Sequence, residues 1–402
     1  MTNTASPRVG KSEELPLAGL RVIEFTHMVM GPSMGLILAD LGADVVKIEP
    51  LAGDNTRRLG GSGSGYFPMY NRNKASLALD IKSPAGMATA LRLLDGADIM
   101  IENFRPGAMD ALGLGYAALS ARNPRLISCS GKGFLSGPYE QRTALDEVAQ
   151  MMGGLAYMTG LPDKPMRAGA SVIDVTGAMF GVIAILAALE QRHRTGQGQA
   201  VTTSLYETTA FLVGQHMAQY AVTGKPAPPM SQRQSAWGVY DVFEASNGEK
   251  VFVAVVSDTQ WRALCDAFGF VAFAEDEALA KNNERVRQRD RILPVIRERF
   301  RAYSPAELMA RLEKTGLPFA PVAKPEQLFD DPHLNAGGLL SVVLPGGQST
   351  KLPALPIEMD ERRLGLRRNP PAVGQGGAEA LLAAGLSEAE VQALVDQGVL
   401  RV

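Results

Sequence analysis

Residues 19–25 (GLRVIEF), 32–41 (PSMGLILADL) and 43–48 (ADVVKI) read as strand, helix and strand. Compressed into about thirty residues, they form a βαβ unit, which implies two parallel strands and a right-handed crossover. A second round follows, with 76–81 as a short strand, 85–94 as a helix and 97–102 (ADIMIE) as a strand. A helix over 117–122 then leads to an apolar strand at 126–130. This alternation predicts an α/β open sheet with helices on both faces.

Over 175–194 small and apolar residues occupy nearly every side of a predicted helix, the mark of a buried rather than an amphipathic one. After the turn TGQGQ, 200–205 reads as a strand and 206–222 as a helix. The stretch 224–234 holds three prolines and no periodicity, which reads as a linker. Residues 238–244 and 250–256 alternate like a hairpin around Ser246-Asn247-Gly248. Helices over 259–268, 284–303 and 305–315 complete a smaller α+β domain ending near Val322, with Pro318, Pro321 and Pro325 marking its exit. The chain closes with a helix running to Gln397, where Ser387 and Glu390 form a capping box.

Composition narrows the function classes. The 402 residues are 46% hydrophobic, enough for substantial cores, and the length favours two domains. Lys plus Arg number 40 against 42 for Asp plus Glu, with no long block of one sign, so neither nucleic acid nor a membrane surface is expected as a partner. Two cysteines, Cys129 and Cys265, leave no disulfide framework or thiolate cluster and fit a reducing, cytoplasmic setting. Residues 1–14 are polar and carry no signal-peptide pattern, so they read as a loose tail. The longest apolar run, 178–189, falls short of the roughly 20 residues that span a bilayer.

Three groups of residues could carry chemistry. The first strand ends in EFTHMVMGP, residues 24–32, and ligands of open α/β sheets sit at such carboxyl ends. The dinucleotide fingerprint is missing there, and the glycine run 60–65 (GGSGSG) stands elsewhere and reads as a flexible loop. Asp174 opens the apolar helix. It reads either as an N-cap or as a nucleophile kept ionised by the helix dipole, since a carboxylate can attack without a partner base. Asn71-Arg72-Asn73-Lys74, Asn103-Phe104-Arg105 and Lys132 form a basic and polar set placed to hold phosphates or to solvate the surface. The four histidines show no metal-ligand spacing and no serine-nucleophile elbow occurs, so metallohydrolase and serine-hydrolase chemistry find no support.

Taken in order, LAGLRVIEF with its following GP, LGADVVKIEP, NRNKASLALD, ENFRPGAMDALGL, RAGASVIDVTG and ALEQRHRTGQGQAVTTSL resemble the family III coenzyme A-transferases, a group that also holds the α-methylacyl-CoA racemases. The motifs span about 200 residues, and together they are far more specific than any one alone. The resemblance implies a large Rossmann-like domain built from both chain ends (1–223 and, after a linker, 323–402), the connection 224–234, a small domain over 235–322, and an interlocked homodimer. It implies no tightly bound cofactor, with a CoA thioester as substrate. Asp174 matches the catalytic aspartate, passing through aspartyl anhydride and aspartyl-CoA thioester intermediates. His27, Met28, Leu79, Asn103, Phe104, Arg105 and Lys132 match CoA-site positions, with Leu205 near the pantetheine end and Lys74 as a further phosphate contact.

Departures from the family pattern also carry information. Pro50 and Ala111 stand where formyl-CoA transferase has arginines, so adenine and phosphate contacts differ. The glycine-rich loop which that enzyme places over its site is not evident between Arg233 and Val239. Racemases need a histidine in a Gly-His-Asp motif, and here Leu145 precedes Asp146, which favours the transferase over the racemase, since leucine carries no proton. Retention of Asp174 weighs against a non-catalytic CoA-ester binder. The motif RAGASVIDVTG is closest to members that use succinyl-CoA and dicarboxylic acids, where Arg167 is expected either to pair with a distal acid group or to be a surface arginine.

Overall fold

The computed structural model describes residues 15–233 and 235–402; the stretch 1–14, read above as a loose tail, lies outside them. Two compact units form, one from the chain up to Ser231 together with Pro332–Val402, the other from Gln232–Asp331.

In the larger unit the alternating pattern gives β1 (Arg21–Phe25), α1 (Met30–Asp40), β2 (Asp44–Glu49), α2 (Tyr66–Tyr70), β3 (Lys74–Leu79), α3 (Pro84–Asp95), β4 (Ile99–Glu102), α4 (Ala108–Ala111), α5 (Tyr116–Arg122) and β5 (Ile127–Lys132). It continues with α6 (Asp146–Met152), α7 (Leu155–Thr159), α8 (Val172–Thr195), β6 (Ala200–Ser204) and α9 (Leu205–Thr223). The strands pair in the order β3-β2-β1-β4-β5-β6, all parallel, and the terminal pair Leu400–Arg401 adds antiparallel to the outer edge of β3. Strand order reverses between β1 and β4, which opens a crevice at their carboxyl ends.

Apolar residues cover both faces of this sheet, as parallel strands require. Leu38 of α1 and Ile185 of α8 pack with Val45, Ile101 and Ile127 on one side. Leu94 of α3, Leu119 of α5 and Leu394 of the C-terminal helix Glu388–Asp396 pack with Leu77 and Met100 on the other. The capping box read at Ser387 and Glu390 is formed.

Charged side chains are also buried here, and they correct one sequence expectation. Segment 71–74, read as able to hold phosphates or solvate the surface, leads into β3 at its amino end, and all four residues are buried. The Arg72 guanidinium pairs with Asp40 at 2.6 Å and the Lys74 ammonium with Glu24 at 2.8 Å. Lys74 also donates to the Pro32 carbonyl and to Asn71 Oδ1. Lys47, likewise buried, donates to the Thr26 carbonyl at 2.6 Å and pairs with Asp54 at 3.0 Å. Glycine at position 35 lets α1 pass this cluster, since an added Cβ would stand 1.7 Å from Glu24 Oε2.

Helix α8 departs from the buried helix expected of its composition. Its 24 residues are long and apolar enough to cross a membrane by length and composition, and 44% of its most apolar window is buried within the fold. One side packs on α1 and the sheet, while Met179 and Ile183 are 51% and 58% exposed. On α9, Phe211 and Val222 are likewise open.

The smaller unit is built on an antiparallel sheet, β7 (Val239–Glu244), β8 (Lys250–Val255) and β9 (Phe319–Pro321). The prolines read as an exit thus include an edge strand, a position where proline's missing N–H costs nothing. The helix expected over 284–303 is two, Asn282–Arg287 and Arg289–Arg301, parted at Gln288. Phe243, Trp261, Phe268, Ile296 and Phe300 form the core of this unit.

Candidate active site

The crevice at the carboxyl ends of β1 and β4 is fixed by a side chain that satisfies a backbone. Asn103, just past β4, donates from Nδ2 to the His27 carbonyl at 2.9 Å and accepts the His27 N–H at 3.0 Å. Met28 follows with φ +63°, a left-handed conformation rare for a long side chain, and its N–H donates to Thr56 Oγ1 at 3.2 Å. Thr56 is in turn bonded to Asp54, the partner of buried Lys47. Strain of this kind persists only where surroundings over-determine it, and it clusters at ligand sites. The His27 ring stacks on Phe104 with centroids 5.3 Å apart, and burial lowers its pKa.

A cavity of about 430 Å³ opens beside this clamp. His27, Met28, Asn103, Phe104, Arg105, Lys132, Asp174 and Leu205, drawn from both halves of the sheet, all line it. Two neighbouring hollows of about 300 and 400 Å³ share Phe104 as a wall and extend over the ends of β2 and β3. Leu79 lines the farther one with Pro50, Lys82 and Leu112. Lys74 lines none of these, and its ammonium is buried on Glu24, so no charge is left there for a phosphate. Lys132 reaches the cavity wall already paired with Glu102 at 2.6 Å and donating to the Phe104 carbonyl.

Asp174 is the third residue of α8 and not its N-cap, a position held by Ser171 without a side-chain bond. The capping role falls to Asp146, the first residue of α6, whose Oδ2 accepts from the N–H of Ile173 at 2.9 Å and of Asp174 at 3.1 Å. Burial, then the charges of Asp146 and Glu147, push the Asp174 carboxyl up to about 7, against a lowering by Arg167. The helix dipole therefore does not keep this carboxyl in the ordinary range, because desolvation and two nearby carboxylates outweigh it. Arg167 is not a free surface arginine. It is ion-paired with Glu147, approaches Asp146 at 3.8 Å and donates to the Ala168 carbonyl.

Other wall residues were not singled out from sequence. The glycine run, folded as a short 3₁₀ turn over Gly61–Gly65, feeds directly into α2 and brings Tyr66 to the cavity. Tyr70 has its pKa raised by burial and then by Asp174. Arg142, Asp146 and Glu147 come from the loop and helix after β5. A tyrosine one turn from another beside a glycine run is a weak signal, and only the RTALDE segment hinted at the rest.

Comparison with known proteins places this fold and sequence in a family. The sequence pattern described as CoA-transferase family III matches residues 17–376. The succinate–glutarate CoA-transferase of Agrobacterium fabrum is 34% identical, with 91% of this chain and 95% of that protein aligned. The human succinyl-CoA:glutarate CoA-transferase is 29% identical over 92% of this chain and 86% of its own length. Among solved structures, a CAIB/BAIF family protein from Brucella suis superposes with a TM-score of 0.83 at 33% identity, covering 92% of this chain and 99% of that one. The chain is an enzyme of CoA-transferase family III.

Proposed function

We propose that this enzyme moves CoA from succinyl-CoA to a second dicarboxylic acid, with Asp174 as the nucleophile. The observation that carries the reading is the placement of Asp174 on the first turn of α8, in one cavity with the His27–Asn103 clamp and Phe104. The Asp174 carboxylate adds to the thioester carbonyl, and collapse expels CoA thiolate and leaves an aspartyl-acyl anhydride. The thiolate attacks the aspartyl carbonyl, releasing the donor acid and leaving an aspartyl-CoA thioester. The acceptor carboxylate reverses the sequence through a second anhydride, so one exchange becomes several acyl transfers. Relatives named for succinate with glutarate, D-citramalate and mesaconate support the donor and acceptor classes.

The CoA moiety runs from Asp174 past Leu205, His27 and Phe104, with its nucleotide end over Leu79, Pro50 and Leu112. Lys82 and Arg105 are the cations along that path. A second copy of the chain covers the open apolar sides of α8 and α9, and the two buried thiols, Cys129 and Cys265, fit a cytoplasmic setting.

The test is incubation with succinyl-CoA and a panel of acids, following new CoA esters by mass spectrometry, with Asp174→Ala alongside. New esters from the wild type alone support both the class and the nucleophile. A racemase reading draws on one feature, the presence of His27 in the same cavity as Asp174. Solvent deuterium entering the α-carbon of a 2-methylacyl-CoA, with no ester formed from any acid, would establish it instead.

A further inference from the structure

We infer that Arg142 is the specificity-determining residue that receives the distal carboxylate of a dicarboxylic substrate. This rests on the transferase reading above and deepens it.

The cavity that holds Asp174 is lined by three cations, Arg105, Lys132 and Arg142. Lys132 is neutralised by Glu102. Arg105 follows Phe104, on the side where the cavity joins the hollows leading to Leu79. Arg142 comes instead from the segment between β5 and the start of α6, which also brings Leu145, Asp146 and Glu147 to the wall. Its backbone N–H donates to the Tyr139 carbonyl, and its side chain makes no ion pair or hydrogen bond among the described residues. Its guanidinium lies instead over the Tyr139 ring at 4.9 Å and farther from Phe134 at 5.9 Å. Those rings pack on each other and on Tyr206; Phe134 is buried, while Tyr139 is 44% exposed. Stacking on an aromatic face orients an arginine without cancelling its charge.

Charge balance gives this cation a task. Asp146 and Glu147 line the same cavity, so the second carboxylate carried in by a dianionic acid needs a cation on that side. Arg167, the other arginine near them, is paired with Glu147 and Asp146. A planar guanidinium held on aromatic rings takes a carboxylate with two parallel N–H···O bonds, and a chain ending in methyl gains nothing from it.

The experiment is a competition. Equal concentrations of glutarate and pentanoate, acids of matched chain length, share one succinyl-CoA donor, and the ratio of glutaryl-CoA to pentanoyl-CoA is read by mass spectrometry. Any change in donor use or in the active fraction scales both products alike and leaves the ratio alone. The expected result is a ratio strongly favouring glutaryl-CoA for the wild type, about ten- to a hundredfold lower for Arg142→Ala and intermediate for Arg142→Lys. Esters formed with an unchanged ratio in Arg142→Ala overturn the assignment and leave the transferase reading intact. Failure of the wild type to form an ester from either acid or from any other overturns the transferase reading, and this inference with it.

Discussion

Asp146 Oδ2 accepts the backbone N–H of Asp174 at 3.1 Å, and the charge it carries also helps push the Asp174 carboxyl up to about 7. One carboxylate thus closes the helix that presents the nucleophile and sets the pH at which that nucleophile ionises. Gln150 and Arg167 steady it from the other side.

The first consequence is a pH profile. With a carboxyl at about 7, kcat/KM rises with pH through neutrality and levels off above it, where Asp174 is ionised. Asp146→Asn keeps an acceptor for the two N–H groups but removes the charge. The rising limb then moves to lower pH, and an unmoved limb would show that the limb belongs to another group.

Stability follows the same carboxyl with a definite sign. An unfolded Asp titrates near 3.8 and the folded Asp174 near 7, so between these values the folded chain holds a proton that the unfolded chain has lost. Stability contributed by this group therefore falls as pH rises through that window, and the cost is complete above about 7. Asp174→Asn, which does not titrate, should raise the melting temperature at pH 8, by an amount equivalent to roughly 1–3 kcal/mol, and match the wild type near pH 4. Equal melting at both pH values would refute this.

Asn103→Ala removes both bonds to the His27 backbone at this exposed position. The expected cost is about 1–3 kcal/mol of stability. A larger KM for the acyl-CoA should accompany it, because His27, the residue leading into left-handed Met28, loses its anchor. Titration of CoA esters against the variant checks the second effect separately from the melt.

Lys74→Ala strips Glu24 of its closest cation in a fully buried site. Breaking a buried pair on one side costs about 3–5 kcal/mol, whereas a surface phosphate ligand would change KM and leave stability alone. Chemical denaturation and substrate kinetics on one preparation decide between these.

Exposed apolar side chains on α8 and α9 predict self-association. Analytical ultracentrifugation should give twice the chain mass, and Ile183→Asp with Phe211→Asp should lower the dimer fraction. A monomeric wild type at micromolar concentration would count against the second copy.

The sheet could be read from sequence because its signals are local. Runs such as 19–25 and 97–102 carry their period within a few residues, and each lies within two or three residues of the strand it predicts. Asp174 came from a motif, and most positions matched with it do meet at one cavity. Lys74 was misplaced because Glu24, its partner, lies fifty residues away, and nothing local separates a paired lysine from a solvated one. Asp146 looks in sequence like the start of its own helix. Its work for α8 appears only when the chain returns after Ser171. Helix α8 misled for a different reason: an all-apolar sequence does not say which face will find protein.

The pair Leu400–Arg401 closes the outer edge of β3 against Leu79 and Ala78. During synthesis this pairing cannot form until Leu400 and Arg401 have been made, more than three hundred residues after β3. Through that interval the nascent chain presents an unpaired strand, open to wrong partners. Within this sheet, closure of the β3 edge is the contact that waits longest for its partner to be made.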